Sequence, residues 1–342
     1  MKKLTLLILN LMIILTLASC EFDVATETTV YPDGSLDKTI AVERTDSATF
    51  IFHVNDWERS VIKKEKKDTA KTDSVQYDTF TRFHKKFASA EEANADLAVV
   101  SDTILQVTSK FEKRFRWFYT YITYSETYHK LNKMKIGPVD YVTQEDYAFI
   151  DRLPAEGQKI SKADELYLDR LRDKVFEQYG EQVLYEELFG LASIVVTTQP
   201  GLDSLRKHKK NLRSAMEKLD DREGLDESNA LLITLDSLKI SIDQSKVAEF
   251  KSRQKQLWKK VGFISTVNDG KFINRINLPW DVVKTNADSV SGTSLLWAPP
   301  SIKFLLKDYT MYGECRKLNW WTVIVSVLIV GFTGYLFIRK RN

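Results

Sequence analysis

At 342 residues, with 43% hydrophobic and 28% charged residues, the chain has the make-up of a globular protein, and disorder along its whole length is excluded. The formal net charge is +3, but Lys2, Lys3, Arg339, Lys340 and Arg341 lie at the two ends, so the body between them carries a slight negative balance. No concentrated basic surface is implied, which removes nucleic acid as a partner.

Met1-Lys2-Lys3 is a short positive n-region, and Leu4 to Leu17 is an apolar h-region of signal-peptide length. Leu17-Ala18-Ser19-Cys20 follows and resembles the lipobox of bacterial lipoproteins at all four positions. The resemblance implies cleavage before Cys20 and acylation of its thiol, making residues 1–19 a lipoprotein signal peptide. The other reading is an uncleaved signal anchor, and either one sends residue 21 onward out of the cytoplasm. With Cys20 acylated, Cys315 has no intrachain partner. It is then a reduced, partly buried thiol or the site of an intermolecular disulfide at the membrane surface.

Residues 22–44 predict a β-hairpin. Phe22, Val24, Thr26, Thr28 and Val30 alternate, Tyr31-Pro32-Asp33-Gly34 supplies turn chemistry, and Leu36, Lys38, Ile40 and Val42 alternate on return. Ala48 to Val54 is a candidate strand, and the polar run Lys63 to Asp78 is expected to be a surface loop. Ser89-Ala90-Glu91-Glu92 fits a capping box that opens a short helix to about Val99. Lys110 to Tyr128 is dense in aromatic and β-branched residues and predicts a strand apolar on both faces. Trp117, Tyr119 and Tyr121, with Phe115, fall on one face. That stripe either lines a ligand groove or belongs to a central core strand.

From Thr143 to about Lys260 the pattern is helical, with cap candidates at Thr143 and Ser161. Leu166, Leu171, Val175, Tyr179, Val183 and Leu188 form an apolar face, and Pro200-Gly201 is expected to break the chain before shorter helices over 202–219, 227–239 and 245–259. Charge runs such as Arg206 to Lys210 are solvated faces or a docking surface for another envelope protein. Strand signals resume at Gly262 and run through Phe272, Asn274, Ile276 and Leu278. A hairpin is expected over 281–297 with its turn at Thr285 to Asp288. Ile302, Phe304 and Leu306 should begin a last strand through Tyr309 and Met311.

Leu318 to Ile338 then carries no charge over 21 positions. About 20 apolar residues suffice for a helix to cross a bilayer. Trp320 and Trp321 would meet the headgroups on one side, and Arg339, Lys340 and Arg341 close the cytoplasmic side.

The fold class expected is α+β: a β-rich domain interrupted by a helical insertion, plus one C-terminal transmembrane helix. The division is 1–19 signal peptide, 20–142 and 261–317 the two parts of the β-rich domain, 143–260 the insertion, 318–338 the membrane helix and 339–342 a cytoplasmic tail. The run Val283 to Trp297 followed by a terminal membrane helix, with a Pro-Asp-Gly hairpin just after the lipidated cysteine, resembles LppM-type bacterial lipoproteins. The resemblance implies a membrane-tethered β domain that contacts envelope lipids.

His53, His84, His129 and His208 are scattered, with no HExxH motif, no GxSxG elbow and no phosphate-cradling glycine run. No metal or cofactor is expected. The reading is a non-catalytic envelope lipoprotein of the cytoplasmic membrane, a binding or scaffolding module. Its partners are membrane lipid, through the Cys20 acyl chains and the terminal helix, and an envelope protein. The alternatives are a lipid-handling module with an apolar cavity, or a hydrolase built on distant carboxylates.

Overall fold

Strict inside–outside alternation generates the first two strands. In β1 (Asp23–Val30), Val24, Thr26, Thr28 and Val30 point inward, and in β2 (Leu36–Val42) so do Leu36, Lys38, Ile40 and Val42. Gly34 sits at φ +98° in the connecting turn, where its amide donates to the Tyr31 carbonyl. Only glycine takes that backbone without strain. The computed structural model describes residues 23–42, 54, 56–65, 77–98, 106–130, 141–208, 227–257 and 271–341. Residues 17–20 and the candidate strand over 48–53 lie outside the described residues.

Two sheets result. The first has the order β3 (Glu58–Glu65), β4 (Tyr77–Phe87), β2, β1, β7 (Lys271–Asn277), β10 (Ser294–Trp297), β9 (Ser289–Ser291). The second has the order β5 (Val107–Arg116), β6 (Tyr119–Tyr128), β11 (Tyr309–Leu318), β8 (Asp281–Thr285). All pairings are antiparallel except β1 with β7, which is parallel. The inner faces share one apolar core that includes Val42, Phe87, Ile122, Tyr124, Ile276 and Trp297. Helix α1 (Ala90–Asp96) covers β5, capped by Ser89 as expected.

Helical residues separate β6 from β7, so the fold class is α+β with a helical interruption, as the sequence implied. Thr143 and Ser161 cap α2 (Gln144–Arg152) and α3 (Lys162–Asp173). A π turn, Lys174–Tyr179, joins α3 to α4 (Gly180–Val195). Leu171, Val175, Tyr179 and Val183 recur every fourth residue, a spacing that drifts by about 40° per step in an ideal α-helix. The wider π turn absorbs that drift and keeps all four buried. Leu166 does not join them: five residues before Leu171 it points to the far side and is 63% exposed. Helices α5 (Gln199–Lys207) and α6 (Glu227–Ser237), with helical residues 247–257, form a second apolar cluster against α4 around Leu205, Leu231, Leu235 and Phe250.

Several expectations are corrected. Residues 110–128 form not one strand but the β5–β6 hairpin, turning at Trp117-Phe118. The polar run from Lys63 begins inside β3 and ends inside β4, because an edge strand tolerates charge on a ladder that faces water. Pro200-Gly201 starts α5 instead of breaking the chain: Thr198 accepts from the Gly201 amide, and proline lacks only an N–H that the first turn leaves unpaired anyway. The 281–297 segment is not a hairpin turning at 285–288. Thr285 and Asn286 donate to the Tyr312 and Thr310 carbonyls, which holds β8 on the second sheet, and the tight turn falls at Gly292, φ +60°. Ile302–Leu306 is a short helix, α7, following Pro299-Pro300 and started by the Lys303 amide on the Pro300 carbonyl. The terminal helix α8 runs Trp320–Arg341 and is long and apolar enough to cross a membrane.

Gly313 in β11 faces the first sheet. A Cβ there would lie 2.3 Å from Leu295 Cδ1 and 2.8 Å from Leu278 Cδ1, both leucines being buried. Gly313→Ala should cost about 1–3 kcal/mol by overpacking, read by chemical denaturation of the full chain in detergent. Leu295→Ala should relieve part of that cost in the double variant; strict additivity would contradict the contact.

Candidate functional site

The expected ligand-lining stripe is dispersed. Trp117 lies in the β5–β6 turn at 47% exposure, and Tyr119 and Tyr121 sit half-buried on the outer face of β6, their rings 6.2 Å apart. The reason is parity: Ile122, Tyr124, Glu126 and Tyr128 take the inward positions, so the odd-numbered residues from 119 face away. None of the three lines the void or the polar cleft described below. A void of about 10 Å³ does lie between the sheets, lined by Val24, Thr26, Tyr128, Phe272, Asn274 and Met311 among others. That is room for one water, not for an acyl chain.

Polar groups occupy the space where a cavity would be. Lys38 Nζ lies 2.5 Å from Glu126 Oε1, joining β2 of the first sheet to β6 of the second, with side chains only 5% and 1% exposed. Thr28 donates to the same carboxylate oxygen at 2.6 Å and Tyr124 at 2.8 Å, and Tyr124 also reaches Ser109. Tyr128 continues the network to Thr26 and Asn274. Burial alone would push the Glu126 carboxyl up, but the Lys38 charge and the bonds from Lys38, Thr28 and Tyr124 outweigh it and hold the group below its ordinary value. Burial, with the Glu126 charge, pushes the Tyr124 phenol well up. Every charge here is spent on a neighbour in the core, so the network joins the two sheets.

The other buried carboxylate among the described residues, Asp146, is likewise committed. It accepts from Thr143, from Tyr167 at 2.7 Å and from Lys174 at 2.9 Å, which ties α2, α3 and the π turn together. An open polar cleft lies beyond it, lined by Asp151, Asp288, Lys303, Lys307 and Asp308. Lys303 Nζ donates to the Leu153 carbonyl at 2.6 Å, Lys307 pairs with Asp151, and His129 meets Asp308 at 3.0 Å. No group of His, Cys, Asp or Glu fit to hold a metal occurs among the described residues. Cys315 is fully buried in β11, and burial pushes its thiol up to about 11. A disulfide to another molecule would require β11 to open.

The remaining assembly joins the body to α8. Asn319, between β11 and α8, donates from its backbone to the Phe118 carbonyl at 2.8 Å and from Nδ2 to the Arg116 and Trp117 carbonyls. Thr120 Oγ1 donates to Asn319 Oδ1 at 2.9 Å. Phe115 stacks on Trp321 and Trp117 meets it edge-on, centroids 5.9 Å apart in each pair. Trp117 Nε1 also donates to Ser326 Oγ at 2.9 Å. Trp320 is 68% exposed. Asn319 carried no sequence signal, since one Asn before an apolar run looks like a spacer.

No family model and no curated protein matches the chain. Among solved structures, the NMR structure of the folded domain of LppM from Mycobacterium tuberculosis is similar at a TM-score of 0.27 and 9% identity, over 88% of this chain and 92% of that one. A likeness at that level carries no argument about fold or function.

Lys38→Met should strand Glu126 in the core and cost about 3–5 kcal/mol, most of it recovered by adding Glu126→Gln. Equilibrium unfolding of both variants checks this. Because the folded carboxyl titrates below its ordinary value of 4.5, the Glu126 contribution is complete above that pH and is lost as pH falls through the lower, folded value. The double variant should lack this acid-side loss.

Proposed function

We propose that the chain is a membrane-anchored, non-catalytic binding or scaffolding module of a bacterial envelope, tethered by acyl chains on Cys20 and by a spanning α8. The observation that carries the reading is the joint at Asn319. Strand β11 ends at Leu318, and one residue later the helix begins, with the β5–β6 turn bonded to the intervening Asn319 and to Ser326. A body joined without a linker is held at a fixed height and tilt above the bilayer, which suits a module that presents a surface to neighbours. The positive-inside tendency puts Arg339, Lys340 and Arg341 in the cytoplasm and the body outside.

The lipid-handling alternative needs an apolar cavity of chain length, and the space between the sheets is filled by the Lys38–Glu126 network and its neighbours. The hydrolase alternative needs two carboxylates free to act across a cleft, whereas Glu126 and Asp146 each hold a lysine. In the open cleft Asp151 pairs with Lys307, Asp308 with His129, and Asp288 accepts from the Ala298 amide.

Cys20→Ala should abolish acyl labelling while the protein stays in the membrane fraction; release into the soluble fraction would end the spanning reading. Protease added to spheroplasts should digest all but a small C-terminal fragment, and protection of the whole body would reverse the orientation. Crosslinking in intact cells should give discrete adducts with envelope proteins. Their absence across a range of linker lengths would count against scaffolding.

A further inference from the structure

We propose that the tip of the β5–β6 hairpin is a wedge that enters the lipid interface beside α8, and that Arg116, Arg316 and Lys317 form a basic collar around it for anionic headgroups. The inference rests on the reading of α8 as a spanning helix.

Depth comes from helix geometry. The apolar part of α8, from Trp320 to Ile338, extends roughly 28 Å at 1.5 Å per residue, close to the ~30 Å of a hydrocarbon core. With the terminal cations at one boundary, Trp320 lies at the other. Ser326 is then about 9 Å deeper. The Trp117 indole reaches that serine hydroxyl, so its ring lies below the level of Trp320. An indole N–H at such depth finds no water and needs a protein acceptor. Ser326 provides one on a helix that is otherwise apolar around it.

The turn backbone meets the same requirement. Non-helical backbone is tolerated near the hydrocarbon only where protein satisfies its polar groups. The carbonyls of Arg116, Trp117 and Phe118 all accept from Asn319, two from its side chain and one from its backbone amide. In water these carbonyls would need no such provision. Phe115, Trp117 and Phe118 nevertheless remain 57%, 47% and 45% exposed, and the first two rings meet Trp321 of α8, so the exposed aromatic surface of the tip runs on to the helix. Patches of this kind mark interaction surfaces, and aromatic rings favour the headgroup boundary. The occupant is fixed by continuity: the same bilayer that surrounds α8 covers the tip.

The charge pattern agrees. Arg116, Arg316 and Lys317 are exposed next to the tip and have no carboxylate partner among the described residues, while Arg114 is spent on Glu314 at 2.8 Å. The Arg316 guanidinium lies 4.6 Å from the Tyr119 ring centroid, which holds it at the rim. Cations at this height are attracted by an anionic leaflet.

The test uses the full chain, without the thiols of Cys20 and Cys315, reconstituted in phosphatidylcholine bilayers with or without phosphatidylglycerol. Nitroxides are placed at Phe118→Cys, at Phe332→Cys within α8, and at Val61→Cys on edge strand β3. The Phe118 label should respond to oxygen over a nickel chelate as the Phe332 label does. If it behaves like the Val61 label while the Phe332 label is in hydrocarbon, the wedge is wrong and the spanning helix stands. If the Phe332 label is also in water, both fall. Brominated phosphatidylglycerol should quench wild-type tryptophan fluorescence at least about twofold more than brominated phosphatidylcholine at equal mole fraction. Arg116→Glu with Lys317→Glu should abolish that difference. Equal quenching of the wild type by the two lipids would overturn the collar.

Discussion

Everything in the sandwich is arranged around a buried charge pair. Lys38 and Glu126 face each other between the sheets, and neither can move toward solvent without unpacking the strand that carries it. Separating two charges in an apolar interior is far more costly than sliding apolar side chains past one another. The pair therefore fixes how the sheets sit. With Thr28 and Tyr124 bonded to the same oxygen, rotation of one sheet over the other would break several charge-assisted bonds at once. Apolar packing around it, from Leu36 to Trp297, supplies the driving force, and the polar network selects one register from those that packing alone would allow.

Much of this was legible beforehand, and the failures have physical causes. Alternation located β1, β2 and β7, because each has one buried face and a period of two. Cap chemistry located α1, α2 and α3. The same alternation placed Lys38 among inward residues, and a cation there asks for an anion. Glu126 answers it from an inward position in β6, but only the register of β6 shows that, and the register depends on a turn at Trp117-Phe118 with no glycine, proline or asparagine to announce it. Long-range pairings such as β8 with β11 were hidden for another reason: residues 281–297 satisfy the local rules for a hairpin, and the side chains of Thr285 and Asn286 decide otherwise through bonds to a strand that comes later. At the membrane side the apolar run of α8 was plain, whereas Asn319 and Ser326 mattered only once the hairpin tip was seen to reach them.

The outer faces complement this interior. On β6 the outward tyrosines end at a rim of arginine, and at the hairpin tip aromatic rings continue the surface of α8. The chain thus places a charge pair where water is excluded by packing, and Arg116, Arg316 and Lys317 where the sheet meets the helix. The helical cluster around Leu205 and Phe250 lies apart from both, with its own core, and leaves the sandwich geometry to the strands.

The parallel pairing of β1 with β7 sets the order in which the molecule can be made. Strand β1 pairs with β2 at once, but its other neighbour, β7, comes almost 250 residues later in the chain, and β11, which completes the second sheet, comes just before α8. Until β7 follows, β1 presents an open edge. Both sheets therefore close late in the chain, the first when β7 pairs with β1 and the second when β11 pairs with β6 and β8 immediately before α8.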